Sequence, residues 1–353
     1  MSVVGARPQF IKAAIVSKEI RKHYSEILIH TGQHYDYAMS EKFFEELNIP
    51  RPDYNLGISG GTHAKMTGNM MISLEEVMVN EKPDLLIVYG DTNSTLAAAL
   101  SAAKLHIPIC HVEAGVRTHC HENPEEINRV CTDHVSSLLL APTQGAMKEL
   151  KIEGLLEKSS LVGDVMYDAF LEYSKYKRIE DVKIHCVLDD RNCKVPSEYY
   201  YFTCHREENS NFLMLKKILK NMNELDAYTV YPVHPRNMVN AKRIVAEEGL
   251  EKIILTDPVG YLDSLCLLNS CLSVVTDSGG LQREAFFAGK QCITLLDFVS
   301  WSETMVDNRN QLAKAEEIKI KLLNQMIIRN DYKPFGNGEA CKRIVNEIEK
   351  KFL

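Results

Sequence analysis

Residues 84–117, DLLIVYGDTNSTLAAALSAAKLHIPICHVEAGVR, place two apolar runs on either side of a helix-forming stretch, and each run ends in a carboxylate, Asp91 and Glu113. A strand, a crossover helix and a second strand in this spacing form a βαβ unit, which requires a parallel sheet. Ligands of such sheets bind outside the carboxyl ends of the strands, so both carboxylates are expected to face one cleft. The same punctuation recurs at ILIHTGQH (27–34), LLLAPT (138–143), YYFTCHREEN (200–209), YTVYPVHPRN (228–237), IILTDP (253–258) and LSVVTDSGG (272–280). Between these runs lie stretches with helical periodicity, such as LKKILKNMNEL (215–225) and MVNAKRIVAEEG (238–249). The expected fold class is therefore α/β.

A chain of 353 residues exceeds what one hydrophobic core usually serves, and two domains of about 150–200 residues each are expected. The seam falls near residues 163–195, where a helical pattern gives way to a polar, charged stretch before the strand run that begins at Tyr199. No low-complexity linker separates the halves, so they are expected to meet around an interdomain cleft.

The net charge of −7 leaves no electrostatic footprint for nucleic acid, and no basic run suits an anionic membrane. The ten cysteines show neither CxxC pairs nor metal-ligand spacing, and no signal peptide precedes them. They read as reduced cytosolic thiols packed as small apolar side chains. No apolar stretch approaches the ~20 residues that span a bilayer, so a soluble cytoplasmic protein is expected.

Four groups carry chemistry. Gly5-Ala6-Arg7-Pro8-Gln9-Phe10-Ile11-Lys12 turns from a short strand into a helix; a glycine there admits a ligand to the backbone, and Arg7 and Lys12 add cations suited to phosphate. The same residues also read as a surface turn with solvated bases. Thr276-Asp277-Ser278-Gly279-Gly280 begins another helix, with Ser278, Gly279 and Gly280 offering donors to a pyrophosphate. Glu284, further along that helix, could reach ribose hydroxyls or could equally be a solvated helix glutamate. His205-Arg206 and His234-Pro235 end neighbouring strand runs, and Pro124-Glu125-Glu126-Ile127-Asn128-Arg129 opens a helix just beyond Glu113. A lone histidine is usually structural and a carboxylate at a helix start usually serves its dipole, but here both types gather beside a cleft. Three carboxylates, a histidine and a phosphate cradle, without a metal-ligand pattern, point to proton transfer on a nucleotide-linked substrate. Closely placed carboxylates shift one another's protonation, which allows one to act as acid and another as base.

In order, GARPQFIK (5–12), HTGQHYD (30–36), GDTNST (90–95), HVEAGVRT (111–118), PEEINR (124–129), VGDVMYDA (162–169), HREEN (205–209), VHPRN (233–237) and DSGGLQREA (277–285) span nearly the whole chain. Together they resemble the non-hydrolysing UDP-N-acetylglucosamine 2-epimerase family. The resemblance implies two Rossmann-like domains of GT-B type, residues 1–165 and 166–337, with a C-terminal helix at about 338–353 packing back on the first. It implies inversion at C2 of UDP-GlcNAc to UDP-ManNAc, through elimination of UDP to a 2-acetamidoglucal and re-addition, in the supply of cell-surface polysaccharides. Asp91, Glu113 and Glu125 would be the acid/base groups, with His205 beside the phosphates or the leaving oxygen. Arg7, Lys12, Arg129, Ser278, Gly279 and Gly280 would hold the nucleotide diphosphate, Glu284 the ribose, and His234 would also bind the substrate. No cofactor or metal is implied. Homodimers are common in the family, and some members bind a second UDP-GlcNAc as an activator, which would lie near Gln33 and His34.

The sequence departs from that pattern in two places. Leu296 replaces an arginine and Ser300 an acid in the segment Leu295 to Thr304, though Trp301, Glu303 and Thr304 keep part of one family version. Ser264 stands where an aromatic residue near the uracil is usual. Only four residues precede Gly5, so the first strand is expected to be short. Three other readings share the UDP-sugar: a hydrolysing epimerase releasing UDP and ManNAc, a GT-B glycosyltransferase, and a non-catalytic UDP-sugar sensor.

Overall fold

Every apolar run noted above forms a buried strand, and the longer stretches between them form helices. The computed structural model describes residues 1–33, 44–120, 122–299 and 301–352. They form two units, Met1–Leu171 with Lys333–Leu353, and Glu172–Tyr332.

In the first unit the strands are β1 (Ser2–Val4), β2 (Leu28–His30), β3 (Tyr54–Asn55), β4 (Leu86–Tyr89), β5 (Ile109–Val112), β6 (Leu138–Ala141) and β7 (Ser159–Leu161). They lie in the order β3-β2-β1-β4-β5-β6-β7, all parallel. The chain winds outward from β1 in one direction and from β4 in the other, so the topological switch point lies between these two strands. β4, β5 and β6 are buried on both faces, which explains why they read as unbroken apolar runs rather than alternating ones. Val3, Ile29, Val88 and Ile109 pack against Met70, Leu74 and Met78 of the helix His63–Glu81 and against alanines of the helix Asn93–Lys104. The small alanines allow these two helices to approach closely over the sheet. The returning helix Ala340–Phe352 packs on the helix Arg7–Ile20 and on β6, and the Asp168 carboxylate accepts from the Cys341 amide at its start (2.9 Å).

The second unit contains β8 (Lys183–Cys186), β9 (Arg191–Lys194), β10 (Tyr199–Thr203), β11 (Tyr228–Pro232), β12 (Ile253–Thr256), β13 (Val274–Thr276), β14 (Cys292–Thr294) and β15 (Asn310–Leu312). Their order is β15-β14-β13-β10-β11-β12-β8-β9. Six strands are parallel, with a switch point between β10 and β13, where Thr203 aligns with Thr276. The antiparallel hairpin β8–β9 extends one edge, inside the stretch that reads in sequence as a polar seam. β8 alternates between buried and more exposed residues and β9 buries none, so no continuous apolar run marks the hairpin. The hairpin also brings Cys186 and Cys193 together as a disulfide. This corrects the expectation that all ten cysteines are reduced thiols: antiparallel pairing makes neighbours of two residues seven apart in sequence. The other eight are free, and six of these are buried. Among the described residues no helix is long and apolar enough to cross a membrane.

Candidate active site

In the first unit the switch point places the loop after β1 beside the ends of β4 and β5. Gly5 is buried, and a Cβ there would lie 2.1 Å from Ser94 Oγ and 2.2 Å from Thr31 Oγ1. A glycine here permits close packing of two hydroxyls that lie 2.8 Å apart. Gln9 organises the same turn: its Oε1 accepts from the Gly5 and Ala6 amides (2.8 and 3.0 Å) and its Nε2 donates to the Tyr89 carbonyl (2.8 Å). The helix Arg7–Ile20 is thereby fixed against β4, with half-buried Arg7 at its first turn.

Register pairs Tyr89 with Val112, so Asp91 and Glu113 leave adjacent strands near the same level. Glu113 has φ +73°, a conformation that L side chains adopt at a cost and that clusters at functional sites. Its carboxylate is nearly buried and pairs with Lys12 Nζ at 2.8 Å. Gly90 forms the floor of this pair, since a Cβ there would sit 3.2 Å from Lys12 Nζ and 3.4 Å from Glu113 Oε1. Lys12, expected on the diphosphate, thus lies against a carboxylate.

Asp91 is ion-paired with Arg129, and Arg129 also donates to Glu126 (2.9 Å). Burial lowers the guanidinium's basicity, but Asp91 and Glu126 outweigh it and raise its pKa. Glu126 is buried and accepts from the Thr118 and His119 amides and the Thr118 hydroxyl at 3.0–3.1 Å. Burial pushes its carboxyl upward, yet those donors and Arg129 hold it below the ordinary range. Glu125, its neighbour, is exposed at the first turn of the helix Pro124–Val135. The acidic pair therefore divides: Glu126 is buried in a knot of hydrogen bonds, whereas Glu125 is exposed to solvent. Gln33 accepts from the amide and hydroxyl of Ser94 (3.1 and 2.7 Å). His34, with Gln33 the expected activator contact, lies outside the described residues, as does Ser300.

In the second unit the switch point carries His205 after β10 and Asp277 after β13. Asp277 is fully buried and accepts from the His205 and Arg206 amides (3.0 and 2.9 Å) and from His205 Nδ1 (2.9 Å). Burial raises its carboxyl, but His205 and the two amides prevail and lower it. Asp277 was not singled out in sequence, although it stands in the DSGG motif. His234 faces His205 at 6.3 Å between ring centroids, and its Nδ1 accepts from the Arg236 amide. Arg236 in turn donates to the His205 carbonyl (3.1 Å).

Ser278 Oγ caps the helix Gly279–Phe287 by accepting from Leu281 N (3.3 Å). A Cβ on Gly280 would meet only Ser278 Oγ, at 3.7 Å, so no packing contact excludes a side chain there. Glu284 is buried and accepts from the Tyr261 hydroxyl at 2.9 Å, which removes the reading of a solvated helix glutamate. Ser264 is held by the Tyr201 hydroxyl (2.9 Å), Leu296 is buried, and Arg206 lies over the Phe298 ring at 5.1 Å. No group of three or more metal-ligating side chains occurs among the described residues.

A family model described as UDP-N-acetylglucosamine 2-epimerase matches residues 18–349. A Methanococcus maripaludis protein named UDP-N-acetylglucosamine 2-epimerase homolog is 44% identical, with 99% of this chain and 98% of that protein covered. The UDP-2,3-diacetamido-2,3-dideoxy-D-glucuronate 2-epimerase of Pseudomonas aeruginosa is 42% identical, with 99% of each covered. The crystal structure of Methanocaldococcus jannaschii UDP-GlcNAc 2-epimerase in complex with UDP-GlcNAc and UDP is similar with a TM-score of 0.85 at 38% identity, covering 99% of both chains.

Proposed function

The chain belongs to the UDP-N-acetylglucosamine 2-epimerase family, and from that premise we propose that it inverts C2 of a UDP-2-acetamido sugar without net hydrolysis, converting UDP-GlcNAc to UDP-ManNAc for cell-surface polysaccharide synthesis. The observation that carries this reading is the carboxylate set of the first unit: Glu113 strained and paired with Lys12, Asp91 paired with Arg129, and Glu125 exposed one turn before Arg129 on the same helix.

The C2 carbon bears an amide nitrogen and no adjacent carbonyl, so its proton is weakly acidic and its removal must be coupled to departure of UDP. The C2 proton passes to a carboxylate of the Asp91, Glu113 and Glu125 set. The electron pair of the broken C2–H bond forms the C1=C2 bond of a 2-acetamidoglucal, and the C1–O pair leaves with UDP. Re-addition of UDP at C1, with protonation of the opposite face of C2, restores the atom count with the centre inverted. Arg7, Arg129, His205, His234 and the helix start at Ser278, Gly279 and Gly280 stabilise the charge that develops on the departing diphosphate, while Glu284 takes the ribose. In this reading Lys12 serves Glu113. Retention of the glucal requires exclusion of water from the sugar.

An NMR time course in D2O with UDP-GlcNAc, and separately with UDP-2,3-diacetamido-2,3-dideoxy-glucuronic acid, tests the proposal. The expected product is the C2-inverted UDP-sugar carrying deuterium at C2. Release of UDP with free ManNAc would replace the non-hydrolysing reaction with the hydrolysing one, and an unchanged sugar despite UDP binding would leave a sensor.

A further inference from the structure

Behind the carboxylates of the first unit lies a buried network of charged side chains that the reaction as drawn does not use. His111, in β5 and two residues before Glu113, is fully buried. Its Nδ1 lies 2.6 Å from Asp133 Oδ1 and its Nε2 lies 2.7 Å from the Gly90 carbonyl. Asp133 Oδ2 accepts from Arg117 Nη2 (2.6 Å) and the Gly115 amide (3.0 Å), and Arg117 continues to Glu153 (2.6 Å).

A neutral imidazole has one donor nitrogen and one acceptor nitrogen. Here both nitrogens face acceptors, because a carbonyl cannot donate and Asp133 is held as a carboxylate by Arg117. Both contacts are made only by a ring carrying two protons. With that charge the buried Asp133 carboxylate has two cationic partners, His111 and Arg117, and Arg117 is shared with the half-buried Glu153.

The three anchor points matter for chemistry. Gly90 immediately precedes Asp91 and forms the floor of the Lys12–Glu113 pair. Asp133 lies on the helix Pro124–Val135 that carries Glu125 and Arg129. His111 itself leads into Glu113. We propose that His111 is a positioning residue, donating from both ring nitrogens at once, which locks the turn bearing Asp91 and the helix bearing Glu125 to the strand bearing Glu113. This deepens the epimerase reading and rests on it. A misplacement of about 1 Å among groups that must meet opposite faces of one carbon costs on the order of 100-fold in rate.

The test combines spectroscopy of the wild-type protein with two conservative variants. In 15N-histidine-labelled wild type, a solvent-protected ring that donates from both nitrogens is expected; a protected ring with one bare nitrogen would overturn the proposal, and this readout needs no variant to fold. His111→Asn keeps a donor near Asp133 but none that reaches Gly90, and its kcat should fall on the order of 100-fold with KM and UDP affinity within about threefold. His111→Gln can still donate to the Gly90 carbonyl and should recover at least about tenfold of that loss. Equal losses in the two variants, or a kcat for His111→Asn within about threefold of wild type, would reduce His111 to core packing. Failure of the reaction assignment is separately visible: wild type would then invert neither sugar, whatever the ring signals show.

Discussion

Asp277 Oδ1 lies 2.9 Å from His205 Nδ1, and the same buried carboxylate accepts from the backbone amides of His205 and Arg206. One side chain thereby sets both the position and the tautomer of the histidine, leaving Nε2 as the atom available to a substrate. Asp277→Asn would keep the volume but can offer an amide NH2 where the ring also donates. We expect kcat to fall by roughly 100-fold or more, as loss of a tautomer-fixing carboxylate does elsewhere, while UDP affinity measured by calorimetry changes far less. Unaltered turnover in this variant would remove His205 orientation from the mechanism.

The Lys12–Glu113 pair offers a separate test. Removing one partner of a buried ion pair costs roughly 3–5 kcal/mol, because the other is left uncompensated. Lys12→Met and Glu113→Gln should each abolish deuterium incorporation at C2, with Glu113→Gln leaving UDP binding intact. In urea unfolding the double variant should be more stable than the sum of the two single losses predicts. Strict additivity would mean that the 2.8 Å contact is not an energetic pair.

The strand ends were legible because a parallel strand buried on both faces announces itself as an apolar run, and the residue that breaks the run stands at the ligand edge. Asp91, Glu113, His205 and Asp277 all occupy such places. What sequence could not show is which long-range partner each side chain takes. Lys12 and Glu113 are 101 positions apart and His205 and Asp277 72 apart, and only the strand order β1-β4-β5 or β10-β13 makes them neighbours. Glu125 and Glu126 are indistinguishable as letters, yet the helix turns one into solvent and the other onto Thr118 and His119. The hairpin β8–β9 and its cysteine pair escaped because an edge of alternating polar residues has no apolar signature.

Gly115 should be intolerant of a side chain for two additive reasons. Its φ is +78°, and a Cβ would lie 2.5 Å from the Ala146 carbonyl oxygen and 2.7 Å from Leu150 Cγ. Gly115→Ala should destabilise the first unit by about 3 kcal/mol, combining backbone strain with overpacking. Gly57→Ala is the control, because its φ is +62° with nothing within 4 Å, and about 1 kcal/mol of strain is all that remains. Denaturant midpoints for the two variants check the difference; equal midpoints would show that the Ala146–Leu150 turn yields freely.

Acid stability should depend on the same buried carboxylates. Burial alone would raise Asp133, but the His111 ring and the Arg117 guanidinium outweigh it and hold its carboxyl below the ordinary range, which for aspartate lies near about 3.9. Asp277 and Glu126 shift in the same direction. A folded value below the unfolded one means that the unfolded chain binds more protons, so this stabilisation is complete above the unfolded values and is lost as pH falls through the folded ones. Urea stability should therefore be nearly level from about pH 7 to 5 and fall steeply below about pH 4. Asp133→Asn, less stable at neutral pH, should show a shallower decline across the acid limb because one depressed carboxyl no longer takes up a proton on unfolding. An unchanged acid slope in that variant would mean that His111 and Arg117 do not hold Asp133 in its ionised form.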